Sequence, residues 1–126
     1  METQPFSIRA RAKSFQYAFE GVISLFRRDH NILIHVVATI AVIVLSIFTR
    51  VNKTEALVLV FAIGLVWVAE LFNTTIEKIM DLISTQRHPQ IKFIKDVSAA
   101  AVLMAAITAA ITGCIVFIPK IMLWLA

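Results

Sequence analysis

The sequence predicts an all-α integral membrane protein, with an N-terminal interfacial amphipathic helix followed by three transmembrane helices. Three observations predict it. Of 126 residues, 60% are hydrophobic and the mean hydropathy is +0.86, more apolar than a water-soluble domain of this size. The apolar residues gather into three long runs separated by short polar turns. The stretch before the first run instead alternates apolar and basic residues with helical periodicity. Residues 1–126 therefore read as a single membrane-embedded domain.

The interfacial helix is expected over residues 6–28. On a helical projection Phe15, Phe19, Val22 and Phe26 share a side with Ile8 and Ala12, while Arg9, Lys13, Gln16, Tyr17, Glu20, Ser24 and Arg27 fill the other. Such a helix lies in the membrane interface with its basic face toward headgroups or water. It serves equally as a surface anchor or as a binding line, because Arg9, Lys13, Tyr17 and Glu20 run along one side and can meet a polyanion such as a nucleotide phosphate. No removable signal peptide is expected, since no charged start precedes a compact apolar core and cleavage site.

The first span is expected over residues 31–49. Its apolar run, Ile32 to Phe48, is broken only by His35, Thr39 and Ser46, and at ~1.5 Å per residue it is about 25 Å long, enough to cross when flanking side chains snorkel. His35 reads as a hydrogen-bonded interface residue in preference to a ligand. Thr54 reads as the N-cap of the next helix, with Glu55 in its first turn. The glycosylation pattern Asn52-Lys53-Thr54 lies against the membrane and is discounted.

The second span, residues 54–84, is about 45 Å long as a helix against ~30 Å of hydrocarbon, so its far end projects into water. It carries Glu70, Asn73, Glu77 and Asp81 at spacings of three, four and four, which fall on one helical face. Ser84 to Pro89 breaks the helix, since proline disfavours helical geometry at His88. The third span is expected over residues 95–118, opened by Lys92, Lys95 and Asp96 and stopped by Pro119. Its face of Ser98, Val102, Ala105, Ala106, Ala109 and Gly113 includes small residues that let helix backbones approach closely. Cys114 is the single cysteine and indicates neither a disulfide nor a metal motif.

Nine of the twelve lysines and arginines fall before the first span or around the connection between the second and third. The positive-inside rule assigns that side to the cytoplasm, which puts the N-terminus inside and the C-terminus outside. Glu77, Asp81, Asp29, Lys95 and Asp96 then meet at the cytoplasmic surface, with Glu70 just beneath it.

That arrangement has chemical content. An ionisable residue inside a span costs at least ~2.5 kcal/mol and indicates function. Glu77 and Asp81 repel one another across one helical turn, and a divalent cation relieves that repulsion. Magnesium suits such a site, because it takes one or two carboxylates and fills its remaining positions with water and phosphate. Arg87, Lys92, Lys95 and the basic N-terminal face would meet further phosphate charge. Glu70 lies two turns deeper, where a carboxylate binds a proton readily and suits general-base work on a lipid hydroxyl. The pattern suggests phosphoryl transfer from a cytosolic magnesium nucleotide to a membrane alcohol. A proton or ion pathway fits less well, because Trp67, Val66, Ile63 and Val60 offer no relay beyond Glu70.

The segment AELFNTTIEKIMD, followed by HPQIKFIKDVSAAAVLM, resembles the prokaryotic diacylglycerol kinase family, which includes undecaprenol kinases. The resemblance extends over nearly the whole chain. It implies a homotrimer with active sites formed between subunits, with a membrane lipid and ATP as substrates, Mg2+ as the metal and no nucleic-acid partner. It implies Glu70 as the catalytic base, with Asn73 near the lipid hydroxyl and Ser98 in the lipid site, and Glu77 as a metal ligand. Lys95, Asp96, Tyr17, Gln86, Arg87 and His88 would contact ATP, together with Lys13 and an arginine near it. Matching Lys13 leaves Ala10 where that arginine is expected, between Arg9 and Arg11, and the helical projection favours Arg9. Asp29 stands where the family usually has a second metal-ligating glutamate, and Gln86 where some members have an acid. The expected reaction is transfer of the γ-phosphate of Mg-ATP to diacylglycerol, giving phosphatidic acid. Undecaprenol is the alternative acceptor, and the segment Asp29 to His35 looks more like that branch.

Overall fold

A computed structural model describes residues 7–28, 31–84 and 86–125. Among them are four helices, α1 (Ile8–Arg28), α2 (Asn31–Phe48), α3 (Lys53–Ile83) and α4 (Pro89–Leu125). α2, α3 and α4 are each long and apolar enough to cross a membrane. The chain divides into two compact units, Met1–Ile34 and His35–Ala126.

In the first unit, α1 keeps Arg9, Lys13 and Tyr17 exposed along one line, and Phe15, Phe19 and Phe26 are exposed as well. Local bonds support the helix surface. Ser14 Oγ donates to the Ala10 carbonyl, and the Gln16 amide donates to Glu20 Oε1 at 2.8 Å across one turn. Phe6, the predicted first helical residue, and Asp29 lie outside the described residues.

The second unit begins within α2 and turns sharply into α3. Arg50 adopts φ 50°, in the left-handed region. Its N–H bonds the Ile47 carbonyl at 3.3 Å and that of Val51 bonds the Ser46 carbonyl at 3.2 Å, the paired bonds of a Schellman helix stop. Val51 then packs against the apolar cluster of Leu59, Val116 and Phe117, with Val42 and Leu45. The cap of α3 differs from expectation: Asn52, not Thr54, is the N-cap. Asn52 Oδ1 accepts from Glu55 N at 2.9 Å while Glu55 Oε2 accepts from Asn52 N at 2.7 Å, a closed capping box that Thr54 is too late in the chain to form.

α4 packs along α3 and differs from prediction at both ends. It starts at Pro89 instead of residue 95, because proline lacks only an N–H that the first helical turn leaves unpaired anyway. The ring Nδ1 of His88 accepts from Gln90 N at 3.3 Å and supplies the cap. Nor does Pro119 stop it. The helix continues to Leu125, and what is lost is the bond to the Ile115 carbonyl. Lys120, just past the proline, pairs with Glu55 Oε2 at 3.0 Å and ties this turn to the start of α3.

A non-glycine residue in the left-handed region costs roughly 1 kcal/mol. Arg50→Gly is therefore expected to raise stability by about 0.5–1 kcal/mol, read as a higher thermal midpoint in detergent, whereas Arg50→Val lowers it.

Candidate active site

Three of the four polar residues on the α3 stripe have their side chains buried or half-buried, and they form an ordered series. Glu70 is only 2% exposed, Asn73 and its neighbour Thr74 are buried, Glu77 is half-buried and Asp81 is exposed. Exposure thus rises along the helix as the apolar sequence gives way to polar sequence. By the rise of ~1.5 Å per residue, Glu77 stands about 10 Å and Asp81 about 16 Å along α3 from Glu70.

α4 supplies the matching groups. Ser98 is buried, and its hydroxyl donates to Asn73 Oδ1 at 2.7 Å, with the Lys95 carbonyl also in reach at 2.9 Å. Asn73 in turn aims Nδ2 at Glu77 Oε1, 3.5 Å away. Because the serine occupies its carbonyl oxygen, the amide is oriented with its donor toward Glu77. Nearer water, Lys95 Nζ donates to Asp81 Oδ1 at 2.5 Å, and Lys92 pairs with Asp96 on the next turn.

The other side of Glu70 meets α2. His35 Nε2 lies 3.6 Å from Glu70 Oε2, and the histidine side chain is 16% exposed. Trp67, one turn before Glu70, donates its indole N–H to Thr39 Oγ1 at 3.0 Å. The Thr39 hydroxyl donates to the His35 carbonyl at 2.7 Å. The His35 and Trp67 rings meet edge-on, with centroids 6.2 Å apart and planes at 61°.

Where α3 ends and α4 begins, Asp81, Ser84, Gln86, Arg87, His88, Lys92, Lys95 and Asp96 line a cavity of about 390 Å3. Gln86 N donates to Ser84 Oγ at 3.0 Å, holding the short connection. The cavity therefore gathers the predicted group at Gln86, Arg87, His88, Lys95 and Asp96 in one place, with Asp81. Arg9, Lys13 and Tyr17 belong to the separate first unit, and Asp29 lies outside the described residues.

Among the described residues, no three His, Cys, Asp or Glu side chains cluster as a metal cage. Magnesium bound with a nucleotide does not need one, and Glu77, half-buried with an oriented carboxylate, fits its preference for a single protein carboxylate plus phosphate and water. Asp81 is engaged by Lys95 and fits less directly.

Sequence reasoning left His35, Thr39 and Trp67 outside the site. Their signal was present: His35 and Thr39 are four apart in one apolar run, and Trp67 is three before Glu70 in the next, so each pair shares a face.

Fold and site together define an integral membrane protein in which a stripe of buried polar groups follows one apolar span to its polar end. The sequence profile of the family described as "Prokaryotic diacylglycerol kinase" matches residues 16–117. The chain is 34% identical over 109 residues to the undecaprenol kinase of Bacillus subtilis, covering 86% of this chain and 89% of that protein. It is 36% identical over 110 residues to a diacylglycerol kinase of Synechocystis, covering 86% of this chain and 63% of that one. To the diacylglycerol kinase of Escherichia coli K12 it is 29% identical over 103 residues, covering 82% of this chain and 84% of that one. The chain belongs to the prokaryotic diacylglycerol kinase family, and it is a small membrane lipid kinase.

Burial sets the expected cost of disturbing the site. Ser98→Ala would leave Asn73 Oδ1 buried without its donor, an expected loss of about 1–3 kcal/mol in thermal or denaturant unfolding. Ser98→Thr, which keeps the hydroxyl, should lose less.

Proposed function

We propose that this protein transfers the γ-phosphate of Mg-ATP to the hydroxyl of diacylglycerol at the cytoplasmic face of a bacterial membrane, giving phosphatidic acid. The observation that carries the reading is Glu70, a 2%-exposed carboxylate inside an apolar span, followed along one helix by oriented Asn73 and Glu77. A second acceptor, undecaprenol, is favoured by the match over 89% of the undecaprenol kinase relative.

In this mechanism Glu70 accepts the proton of the lipid hydroxyl. As the new oxygen–phosphorus bond forms, the bond from the γ-phosphorus to the bridging oxygen breaks and ADP departs. Asn73, fixed by Ser98, holds the hydroxyl and the γ-phosphate in line. Glu77 would hold the magnesium ion, which when bound would supply positive charge against the phosphates. Arg87, Lys92 and Lys95 around the cavity take part of the remaining polyphosphate charge, with His88 and Gln86 at its rim and Asp96 beside Lys92. The family resemblance assigns nucleotide contact to Arg9, Lys13 and Tyr17 as well, and a second metal-ligating carboxylate to Asp29. Burial keeps water from competing with the lipid as acceptor.

Self-association belongs to the same reading. α2 and α3 leave extended apolar faces, and α4 exposes a further one that includes Leu103, Met104, Ile107, Ile111 and Ile115. A homotrimer with sites completed between subunits would cover these faces. Analytical ultracentrifugation in detergent tests it, with a mass of three chains expected and a monomeric active enzyme counting against it.

The reaction is tested with purified protein, labelled ATP and magnesium, offered diacylglycerol, undecaprenol or no lipid. Label on diacylglycerol supports the first acceptor and label on undecaprenol the second; label on neither overturns the kinase reading. Glu70→Gln is expected to assemble normally and lose at least about a hundredfold in kcat, and near-normal turnover would remove Glu70 from the base role. Glu77→Gln should instead weaken magnesium-dependent nucleotide binding in a titration, and unchanged affinity counts against its role as metal ligand.

A further inference from the structure

We propose that His35 is a positioning residue for Glu70, held in place by Trp67 and Thr39 so that its imidazole keeps the buried carboxylate oriented for proton abstraction. This inference rests on the base role proposed for Glu70.

The argument starts from geometry. Glu70 and Trp67 stand one turn apart on α3, and His35 and Thr39 stand one turn apart on α2. The carboxylate meets the imidazole at 3.6 Å, the indole N–H meets the hydroxyl at 3.0 Å, and the two helix backbones close the loop. Thr39 uses its hydroxyl in both senses, accepting from Trp67 and donating to the His35 carbonyl, so its rotamer is fixed by two bonds. The edge of the Trp67 ring limits tilting of the imidazole. The helix that carries the base thus also carries the group that fixes the histidine against it.

Electrostatics gives the arrangement its purpose. A carboxylate removed from water needs a partner charge or donor at short range. On α3 the next ionisable side chain is Glu77, of like sign and engaged with Asn73. On α4, Lys95 is committed to Asp81, Lys92 to Asp96 and Lys120 to Glu55. His35 on α2 is the ionisable side chain that α2 sets beside Glu70, and a ring N–H there gives one carboxylate oxygen a donor while leaving the other to accept the lipid proton. At 3.6 Å the contact is an ion-pair distance slightly beyond hydrogen-bond range, and such contacts commonly shorten in the substrate complex.

The test uses the full chain and whichever lipid alcohol takes label in the assay above. His35→Leu keeps the apolar volume without a donor, whereas His35→Gln keeps an N–H donor on a side chain of similar reach. For a positioning role, His35→Leu lowers kcat on the order of tenfold to a hundredfold, the scale of losing a group that orients a reactive side chain. The KM for Mg-ATP stays within about twofold, and His35→Gln recovers most of the loss. Thermal unfolding of both variants checks that they fold. A packing role gives the reverse order, with leucine better tolerated than glutamine inside the span, and that order overturns the inference. So does a raised nucleotide KM at unchanged kcat. If Glu70→Gln turns over normally, the base role falls and the inference falls with it; an inactive Glu70→Gln beside a fully active His35→Leu overturns the positioning role alone.

Discussion

A carboxylate buried within an apolar helix is the constraint to which the rest of this structure answers. Holding Glu70 in a span costs at least ~2.5 kcal/mol, so the surroundings must return favourable interactions at short range. Two helices pack against this part of α3 from different directions. α2 brings His35 to one carboxylate oxygen. α4 brings Ser98 to Asn73, one turn from Glu70, and can approach because Ser98 and Ala105 on that face are small and buried. A bulkier α4 face would separate the helices and leave the amide of Asn73 without its orienting bond.

The register between α3 and α4 is set at both ends of α3, one of them at the site itself. Lys120 pairs with Glu55 at one end of α3 and Lys95 with Asp81 at the other. Each pair is partly exposed, so water screens it and it holds the helices only weakly. Together they mark the same antiparallel alignment that puts Ser98 opposite Asn73, and the cluster of Leu59, Val116 and Phe117 fills the space between them near the Glu55 end. The capping box at Asn52 and the helix stop at Arg50 fix where α3 begins, so the position of Glu70 along the span follows from a turn some twenty residues away.

Much of this was legible in the sequence, and the reasons differ by feature. The helices follow from apolar runs and periodicity, and the α3 stripe follows from spacing alone, because the 3.6-residue repeat maps it directly onto a face. Helix ends were less legible. Thr54 and Asn52 are both good caps, and only the reciprocal bond with Glu55 selects Asn52. Pro119 reads as a stop by local rules, but inside an apolar environment continuing the helix satisfies more backbone groups than leaving it. The His35–Thr39–Trp67 arrangement was only partly legible, for another reason: spacing puts each pair on one face without telling that the two faces meet. Each residue alone is ordinary in an apolar run, and the link between α2 and α3 depends on how two helices separated by a turn pack, which no local pattern encodes.

The ion pairs around the cavity bear on how a polyphosphate could enter it. Lys95 and Asp96 are the residues for which the family resemblance implies nucleotide contact, yet each is paired, Lys95 with Asp81 and Asp96 with Lys92. Exposed pairs of this kind are held by little free energy, so a ligand of greater charge density exchanges them at small cost. A triphosphate drawing Lys95 away would leave the Asp81 carboxylate without its cation, one turn from Glu77 on the same helix. Two carboxylates at that spacing repel, and a divalent cation arriving with the nucleotide relieves the repulsion that the lysine had been neutralising. The same lysine would then serve two states, balancing Asp81 when the cavity holds water and the phosphate when it holds nucleotide. Asp81 contributes to metal affinity in this scheme only as Lys95 leaves it, which makes the two residues coupled and not independent contributors to nucleotide binding.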